Sequence, residues 1–188
     1  LFIYVGASLD TSSNGLFFQT RIGQFGRSFT IIKFKTFHSQ SRKVTRFGHF
    51  LRATKLDELP QLWNVLVGEM SVVGPRPDVP GYYDRLEGDA RKILALKPGL
   101  TCEASLKYAH EEVLLASKEA PLVYNDTVIF PDKVRMNLAY YYNRTFFGDL
   151  GIIFKTIILL KIIFLRKLFL KMYIRCMVRL TLKVRLNT

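Results

Sequence analysis

Two adjacent carboxylates, Asp57 and Glu58, are the residues of this chain best suited to chemistry. They stand among 28 Lys and Arg residues but only 15 Asp and Glu, with Arg52 and Arg76 on either side. An isolated acidic pair in a basic setting favours chemistry on an anionic substrate, because one carboxylate can attack while its neighbour holds a cation. The alternative is that the pair merely begins a helix, where acids suit the positive end of the dipole.

The segment before the acidic pair must bring basic side chains toward it. Residues 16–19 read as a short extended run, and residues 29–35 alternate like a strand. Because successive side chains of a strand point to opposite faces, Lys33 and Lys35 share one face. A solvated strand face explains these two lysines equally well.

The acidic pair itself lies in residues 44–66, which read mainly as helix. Pro60 interrupts this stretch, because a proline removes a backbone donor and bends the chain just after the pair. Further on, Arg76 stands between Pro75 and Pro77, each of which fixes its own φ and biases the residue before it toward extended geometry. Such a stiff loop presents a guanidinium with little loss of freedom on binding.

The remaining patterns complete an α+β fold, with amphipathic helices around a small β-sheet or hairpin. Leu62 and Trp63 are expected in the core rather than in a binding surface. The other elements predicted are a short apolar run at 71–73, an amphipathic helix at 82–96, a turn at 97–101 and a helix at 131–142.

Basic charge is concentrated at the C-terminal end of the chain. The formal net charge is +13, and residues 151–188 contain nine Lys and Arg and no Asp or Glu. From 167 to 183 a basic residue recurs every four positions, which is typical of a basic helix at a membrane surface, although an irregular tail is the alternative. Lys155 and Lys161 interrupt the apolar run, so it falls short of the roughly 18 residues of a spanning helix.

An acid-free, basic end points to an anionic partner, either phospholipid or nucleic acid. No nucleic-acid reader motif is recognisable and the aromatic residues are not interleaved as a stacking platform, so nucleic acid is disfavoured. The two cysteines form neither a metal spacing nor a disulfide framework, and a reducing, cytoplasm-facing compartment is expected. The three histidines are isolated, and no zinc site is predicted.

Five segments, in order, resemble the bacterial sugar transferase family, also called the monotopic phosphoglycosyl transferases or polyprenyl-phosphate sugar-phosphate transferases. The run from Leu56 to Pro77 matches the family signature almost throughout. The likeness extends over roughly residues 9–157, and its other segments are residues 16–23, 29–36, 45–52 and 96–101.

The resemblance implies a reaction. A sugar 1-phosphate would move from a UDP-sugar to a membrane polyprenyl phosphate, giving a polyprenyl diphosphate sugar and UMP. This would be the first membrane step in making a capsule, exopolysaccharide, O-antigen or glycoprotein glycan. The signature reports phosphate chemistry and not hydroxyl recognition, so the sugar itself is not predicted.

The resemblance also implies roles for the residues that opened this section. Asp57 would attack the β-phosphorus, and Glu58 would ligate Mg²⁺, a hard cation suited to carboxylate and phosphate oxygens. A covalent aspartyl phosphosugar would lie between two half-reactions, which predicts ping-pong kinetics. Arg52 and Arg76 match family arginines, whose planar forks suit phosphate.

Weaker assignments complete the predicted substrate site. Pro75 and Pro77 belong to it as the frame of the arginine loop, and Lys33 and Lys35 as further cations. The family usually has arginine where Lys35 stands, and a lysine there lacks the planar fork needed for a bidentate contact.

A few positions match the family without a clear role. Arg21 and Arg46 fall on motif positions, but surface charge is the simpler interpretation. Gln61 and Asn64 could order the active-site helix, although no pattern in the sequence requires it. Cys102 stands where the family usually has glycine, and its effect is not predictable.

The resemblance divides the chain into three parts. These are a remnant of an N-terminal re-entrant membrane helix (residues 1–9), a catalytic domain (10–157) and a basic amphipathic tail (158–188). The expected location is the cytoplasmic face of the bacterial inner membrane, monotopic, on anionic lipid, and a homodimer across the lipid face is compatible with it. The alternative function is an inactive membrane-surface binding protein that keeps the fold.

Overall fold

A computed structural model describes residues 1–165 of the chain and shows an α+β fold of short helices and two small sheets. This confirms the predicted class. The helices are α1 (Phe2–Thr11), α2 (Arg46–Thr54), α3 (Gln61–Leu66), α4 (Glu103–Lys107), α5 (Glu111–Ala116), α6 (Pro121–Tyr124), α7 (Phe130–Asn143) and α8, which includes residues 146–165. The strands are β1 (Leu16–Ile22), β2 (Ser28–Phe34), β3 (Ser71–Val73) and β4 (Gly99–Thr101). Tighter 3₁₀ turns cover Gln24–Gly26, Leu56–Glu58, Tyr83–Arg85 and Gly88–Ala95, and a π-helical turn covers Asn125–Ile129.

Strands β1 and β2 form an antiparallel hairpin, as the alternating sequence predicts. Arg21 pairs with Phe29 and Lys33 pairs with Phe17, so the two basic residues lie on the same face of the hairpin. Strand β1 is longer than predicted, and it reaches Ile22 before the 3₁₀ turn. The hairpin therefore displays two cations on one face.

Strands β3 and β4 form a second, parallel sheet where the sequence predicted only a turn at 97–101. The backbones cross closely at two glycines, since a Cβ on Gly99 would lie 2.2 Å from the Gly74 nitrogen. Gly99 N donates to Pro75 O at 2.8 Å, and Gly74 N donates to Thr101 O at 3.0 Å. The turn prediction was wrong because this pairing is long-range and leaves only three residues in each strand.

The buried core lies between the end of β1 and helix α7. Ile22, Tyr83, Ile93 and Leu94 form its centre, and α7 packs against them with Phe130, Val134 and Leu138. This confirms the helix predicted at 131–142.

The amphipathic helix predicted at 82–96 is not an α-helix. Leu86 and Glu87 are extended, and Gly88 has a φ of +56°, so two separate 3₁₀ segments replace it. The apolar positions still face the core, because Ile93 and Leu94 are buried. Periodicity thus identified the buried face but not the type of helix.

The predicted helical stretch 44–66 is broken over several residues, beginning before Pro60. Helix α2 ends at Thr54, the next residue, Lys55, has a left-handed φ of +57°, and a 3₁₀ turn follows. Leu62 and Trp63 are 47% and 60% exposed, so the prediction that they are core residues was wrong. Helix α3 instead buries its polar residues Gln61 and Asn64.

Within residues 1–165 no helix is long and apolar enough to cross a membrane. Helix α8 packs on the domain through Ile152, which is buried, and through a 2.7 Å hydrogen bond between the Thr156 and Thr101 hydroxyls. The basic helix predicted at 167–183 lies outside the described residues, and the domain boundaries at 9 and 157 stay predictions.

Candidate active site

Asp57 and Glu58 occupy the 3₁₀ turn that joins α2 to α3. The turn starts directly after Lys55. Pro60, which has helical φ and ψ, immediately precedes the first residue of α3. The tight turn is possible because Glu58 N bonds to Lys55 O at 3.2 Å rather than to a residue one α-helical turn earlier. It directs both acidic side chains into a largely buried environment.

Glu58 is the centre of an ion-pair cluster. Lys33 Nζ of β2 donates to Glu58 Oε1 at 2.9 Å. Arg76 binds the same carboxylate through both guanidinium Nη atoms, with Nη1 at 3.3 Å from Oε2. Burial alone would raise the pKa of Glu58, but the facing Arg76 and Lys33 hold it well below its usual range. Glu58 is therefore an anion at any physiological pH.

The Pro75–Pro77 loop reaches Glu58 because the chain fastens it at both ends. The Pro75 carbonyl accepts from Gly99 N, and the Asp78 carbonyl accepts from Ile22 N at 2.9 Å. The loop thus spans the gap between the parallel sheet and the hairpin, with Arg76 held over the acidic turn. The pKa of Arg76 is raised by the Glu58 carboxylate, so its charge is secure.

Asp57 differs from Glu58 in its hydrogen bonding and in the direction of its pKa shift. Its Oδ1 atom is buried and has no hydrogen-bond partner within residues 1–165. Burial, and next the charge of Glu58, raise the pKa of Asp57, whereas Lys33, Lys55 and Arg52 pull it down. An unsolvated carboxylate oxygen with a raised pKa is more basic than an exposed one and therefore more reactive toward phosphorus.

The donor set of this turn fits Mg²⁺. The ion prefers carboxylate oxygens, usually one or two from protein, with the rest from water and substrate phosphate. Asp57 Oδ1 is an oxygen without a partner in the described chain, and Glu58 Oε2 accepts only the longer bond from Arg76. The described residues hold no cluster of three or more His, Cys, Asp or Glu side chains, which such a site does not need.

Two of the predicted substrate-binding cations lie apart from this cluster. Arg52 Nε donates to Thr36 Oγ1 at 3.0 Å, and its guanidinium stacks 4.7 Å above the Phe37 ring. Lys35 Nζ donates to Ser13 Oγ at 2.8 Å. The structure therefore brings Lys33 and Arg76 to Glu58, keeps Arg52 within electrostatic range of Asp57, and directs Lys35 elsewhere. Pro75 and Pro77 flank Arg76 in the loop, and a direct role for them in substrate binding stays a prediction.

Three polar residues that sequence reasoning left without a role also belong to this region. Gln61 and Asn64 are buried, and Asn64 Nδ2 donates to Thr30 O at 2.8 Å and to Glu69 Oε2 at 2.7 Å, which fastens α3 to β2. Arg21 lies mostly buried on the same hairpin face as Lys33. The signal that could have found Arg21 is its alternation with Gln19 and Lys33 on paired strands.

Comparison with known proteins places this geometry in context. The chain matches the family described as Bacterial sugar transferase over residues 1–162. It is 32% identical over 164 residues to a UDP-galactose-lipid carrier transferase of Erwinia amylovora, which covers 73% of this chain and 31% of the relative. A UDP-glucose:undecaprenyl-phosphate glucose-1-phosphate transferase of Xanthomonas campestris pv. campestris is 37% identical over 117 residues, covering 54% of this chain and 24% of the relative.

A third relative is an undecaprenyl-phosphate galactose phosphotransferase of Salmonella typhimurium. It is 36% identical over 114 residues, which is 61% of this chain and 21% of the relative. The chain thus spans less than a third of the length of these three relatives, at 31%, 24% and 21%.

Proposed function

The chain belongs to the bacterial sugar transferase family, and from that premise we propose that it transfers a sugar 1-phosphate from a UDP-sugar to a polyprenyl phosphate. The products are a polyprenyl diphosphate sugar and UMP, and the step starts the synthesis of a surface polysaccharide or glycoconjugate. The observation that carries the proposal is the pairing of a reactive, unpartnered Asp57 oxygen with a fully charged Glu58.

In the first half-reaction an Asp57 carboxylate oxygen attacks the β-phosphorus of the UDP-sugar. A bond from Asp57 oxygen to phosphorus forms, the bond from that phosphorus to the bridging oxygen breaks, and UMP leaves with the bonding electrons. In the second, a phosphate oxygen of the polyprenyl phosphate attacks the same phosphorus. The bond to Asp57 then breaks and the free carboxylate returns. Splitting the transfer lets two bulky anions use one site in turn.

Glu58, Lys33 and Arg76 supply the electrostatic frame for these steps. Two cations on one carboxylate leave a surplus of positive charge beside Asp57, which attracts the diphosphate and offsets its repulsion from the attacking oxygen. Glu58, with the neighbouring Asp57 oxygen, would hold Mg²⁺, which when bound neutralises negative charge on the substrate phosphates.

The reaction needs a lipid acceptor, and the surface beside the acidic turn suits a membrane. Leu59, Leu62, Trp63 and Leu66 are all at least 40% exposed and follow the pair directly. Helix α8 also exposes an apolar series, including Phe147, Phe154 and Ile158. Exposed apolar faces of this kind mark membrane or protein contacts. These faces support a position at a membrane surface, and we propose, from the family resemblance, that this surface is anionic lipid at the cytoplasmic face of the bacterial inner membrane.

A labelling experiment tests the chemistry. The protein is incubated with Mg²⁺ and a panel of UDP-sugars radiolabelled in the sugar, without acceptor, and both UMP release and label bound to protein are measured. We expect one or more donors to give equal amounts of UMP and protein-bound label. The Asp57→Asn variant should give neither, whereas Asp126→Asn, an exposed position on another element, should behave as the wild type.

The outcomes separate the possible functions. Label that persists in Asp57→Asn would exclude Asp57 as the nucleophile. UMP release that appears only when polyprenyl phosphate is added, with no label on the protein, would favour a direct, single-step transfer. No UMP release from any donor, with or without polyprenyl phosphate and with vesicle binding intact, would support the alternative of an inactive membrane-surface protein.

A further inference from the structure

Arg21, near the end of β1, is a cation that the site described above does not use. Its side chain is 19% exposed, and Nη2 donates to Gln19 Oε1 at 2.7 Å. Nη1 lies 4.0 Å from Asp78 Oδ1, which is beyond hydrogen-bond distance. The Nε atom is buried and has no hydrogen-bond partner among residues 1–165. Much of the donor capacity of this guanidinium is therefore unused by the described chain.

The backbone holds Arg21 beside the arginine loop. Ile22 N donates to Asp78 O at 2.9 Å, which ties the end of β1 to a residue two positions after Arg76. On its other side Arg21 shares the hairpin face with Lys33, which contacts Glu58. Burial lowers the pKa of Arg21, Asp78 raises it, and the nearby charge of Arg76 lowers it further. The last effect is the repulsion expected of two guanidinium groups that lie close together.

The neighbouring cations are already occupied. Arg76 uses both Nη atoms on Glu58, and Lys33 donates to the same carboxylate. Arg52 donates to Thr36. Arg21, in contrast, has only a long contact with its nearest carboxylate. Unlike Arg76 and Lys33, Arg21 can accept an anion without giving up a contact with Glu58.

We propose that Arg21 binds a phosphate oxygen and, with the Pro75–Pro77 loop, forms a phosphate subsite next to Asp57 and Glu58. Gln19 holds the plane of the guanidinium, and the anion replaces the long contact with Asp78. The inference rests on the proposed function, because a donor diphosphate and an acceptor phosphate both carry this chemistry. Arginine suits the role since its planar fork can hold two oxygens at once.

Binding measurements on the full chain test this subsite. UDP and a short-chain polyprenyl phosphate are titrated separately, by calorimetry in detergent, into wild type, Arg21→Met, Arg21→Lys and Arg27→Met. Arg27 is the matched control, because it is an exposed arginine of the same hairpin. We expect Arg21→Met to weaken one of the two ligands by roughly tenfold to a hundredfold, as for the loss of a hydrogen bond to a charged group. Arg21→Lys should recover only part of the affinity, because lysine keeps the charge but not the fork.

Which ligand is affected identifies the source of the phosphate. A loss for UDP alone assigns the subsite to the donor, and a loss for the polyprenyl phosphate alone assigns it to the acceptor. Equal affinities in Arg21→Met and Arg27→Met for both ligands would overturn the inference, while Asp57 labelling would leave the proposed function standing. If Arg21→Met lowers the Tm, the test relies on the affinity of Arg21→Lys instead. Full wild-type affinity in a folded Arg21→Lys would exclude a bidentate phosphate contact.

Discussion

Helices α3 and α7 differ in where their apolar residues lie. Helix α7 turns Phe130, Val134 and Leu138 toward the core, as an ordinary amphipathic helix does. Helix α3 buries Gln61 and Asn64 and leaves its apolar residues exposed, among them Leu62, Trp63 and Leu66. Of these two helices, only α7 packs its apolar residues against the core and is stabilised by their burial.

The difference separates stability from function. Apolar contacts hold α7, and its buried polar side chain, Asn137, donates to Tyr83 Oη at 2.7 Å, whereas the inner face of α3 leaves polar groups without partners among residues 1–165. The Asn64 amide nitrogen has partners, but the Asn64 Oδ1 and the Gln61 Nε2 have none in the described chain. Unsatisfied buried polar groups cost stability. Helix α3 therefore serves to hold the acidic turn and to present an apolar outer surface.

The largest effect should come from Glu58, on the α3 side of the comparison. Replacing Glu58 with Gln removes the partner of Lys33 and Arg76, and we expect UMP release to fall at least about a hundredfold. The free energy of unfolding should fall by about 2 kcal/mol, less than for a fully buried pair because the Arg76 side chain is 44% exposed. Urea unfolding and the UMP assay measure the two effects. Glu112→Gln, an exposed position, is the control, and equal stability of both variants would show that the cluster is not held by Glu58.

The core beside α7 should show the largest effect on stability alone. Ile93 is 2% exposed, so Ile93→Ala should lower the free energy of unfolding by about 2–5 kcal/mol through lost burial and a cavity. Leu66→Ser on α3 should change it by no more than about 0.5 kcal/mol, because Leu66 is 79% exposed. Comparable losses in the two variants, measured by urea unfolding, would mean that α3 packs as an ordinary core helix.

The outer face of α3 should contribute to membrane binding rather than to the stability of the fold. The double variant Leu62→Ser and Leu66→Ser removes two apolar side chains beside the acidic turn. We expect its affinity for anionic vesicles to fall roughly tenfold or more, since each leucine buried in lipid contributes on the order of 1–2 kcal/mol. Leu122→Ser on α6, where Leu122 is 74% exposed against 79% for Leu66, is the control in the sedimentation assay. An identical loss at Leu122 would show that exposure, and not the face of α3, determines binding.

The two carboxylates should become protonated at different pH values as the solution is acidified. Because burial and the charge of Glu58 raise the pKa of Asp57, the nucleophile should become protonated, and UMP release should decline, at a pH above that of an ordinary aspartate. The pKa of Glu58 is lowered, so the stability it contributes is present above its unfolded pKa and is lost only at much lower pH. Activity should thus fall before the fold does.

A lysine variant sharpens this test. Lys33 lowers the pKa of Asp57, so Lys33→Met should move the acid limb of the UMP-release profile to higher pH. Circular dichroism at each pH confirms that the protein stays folded. An acid limb that coincides with unfolding, or that does not move in Lys33→Met, would contradict the assignment.

The smallest effect should come from Lys35, which contacts Ser13 rather than the acidic turn. Lys35→Met should leave UMP release within about twofold and stability within about 1 kcal/mol, as for a partly exposed polar contact. Lys33→Met, two residues earlier on the strand, should cost far more activity. Similar losses in both variants would show that the hairpin binds substrate with its whole basic face.

Several parts of this description follow from the sequence. Alternation located the hairpin, since β1 and β2 pair through local contacts and a short connection. The predicted α+β class is confirmed, whereas the roles that motif order predicts for Asp57, Glu58 and Arg76 stay predictions. The parallel β3–β4 pair and the 3₁₀ segments at 83–95 were missed, because long-range pairing and helix type leave no periodic signal in so few residues.

What the sequence by itself determined is the chemical inventory: an acidic pair, a proline-framed arginine and basic residues spaced along a strand. Only the tertiary structure decided how these charges are distributed, because their environments depend on neighbours distant in the chain. In the folded chain Lys33 and Arg76 bind Glu58, and an Asp57 oxygen has no partner among the described residues. Lys35 and Arg52 instead donate to hydroxyl groups outside the acidic turn. The tertiary structure also puts Trp63 on the surface, since burying Asn64 against β2 turns the opposite face of a short helix outward.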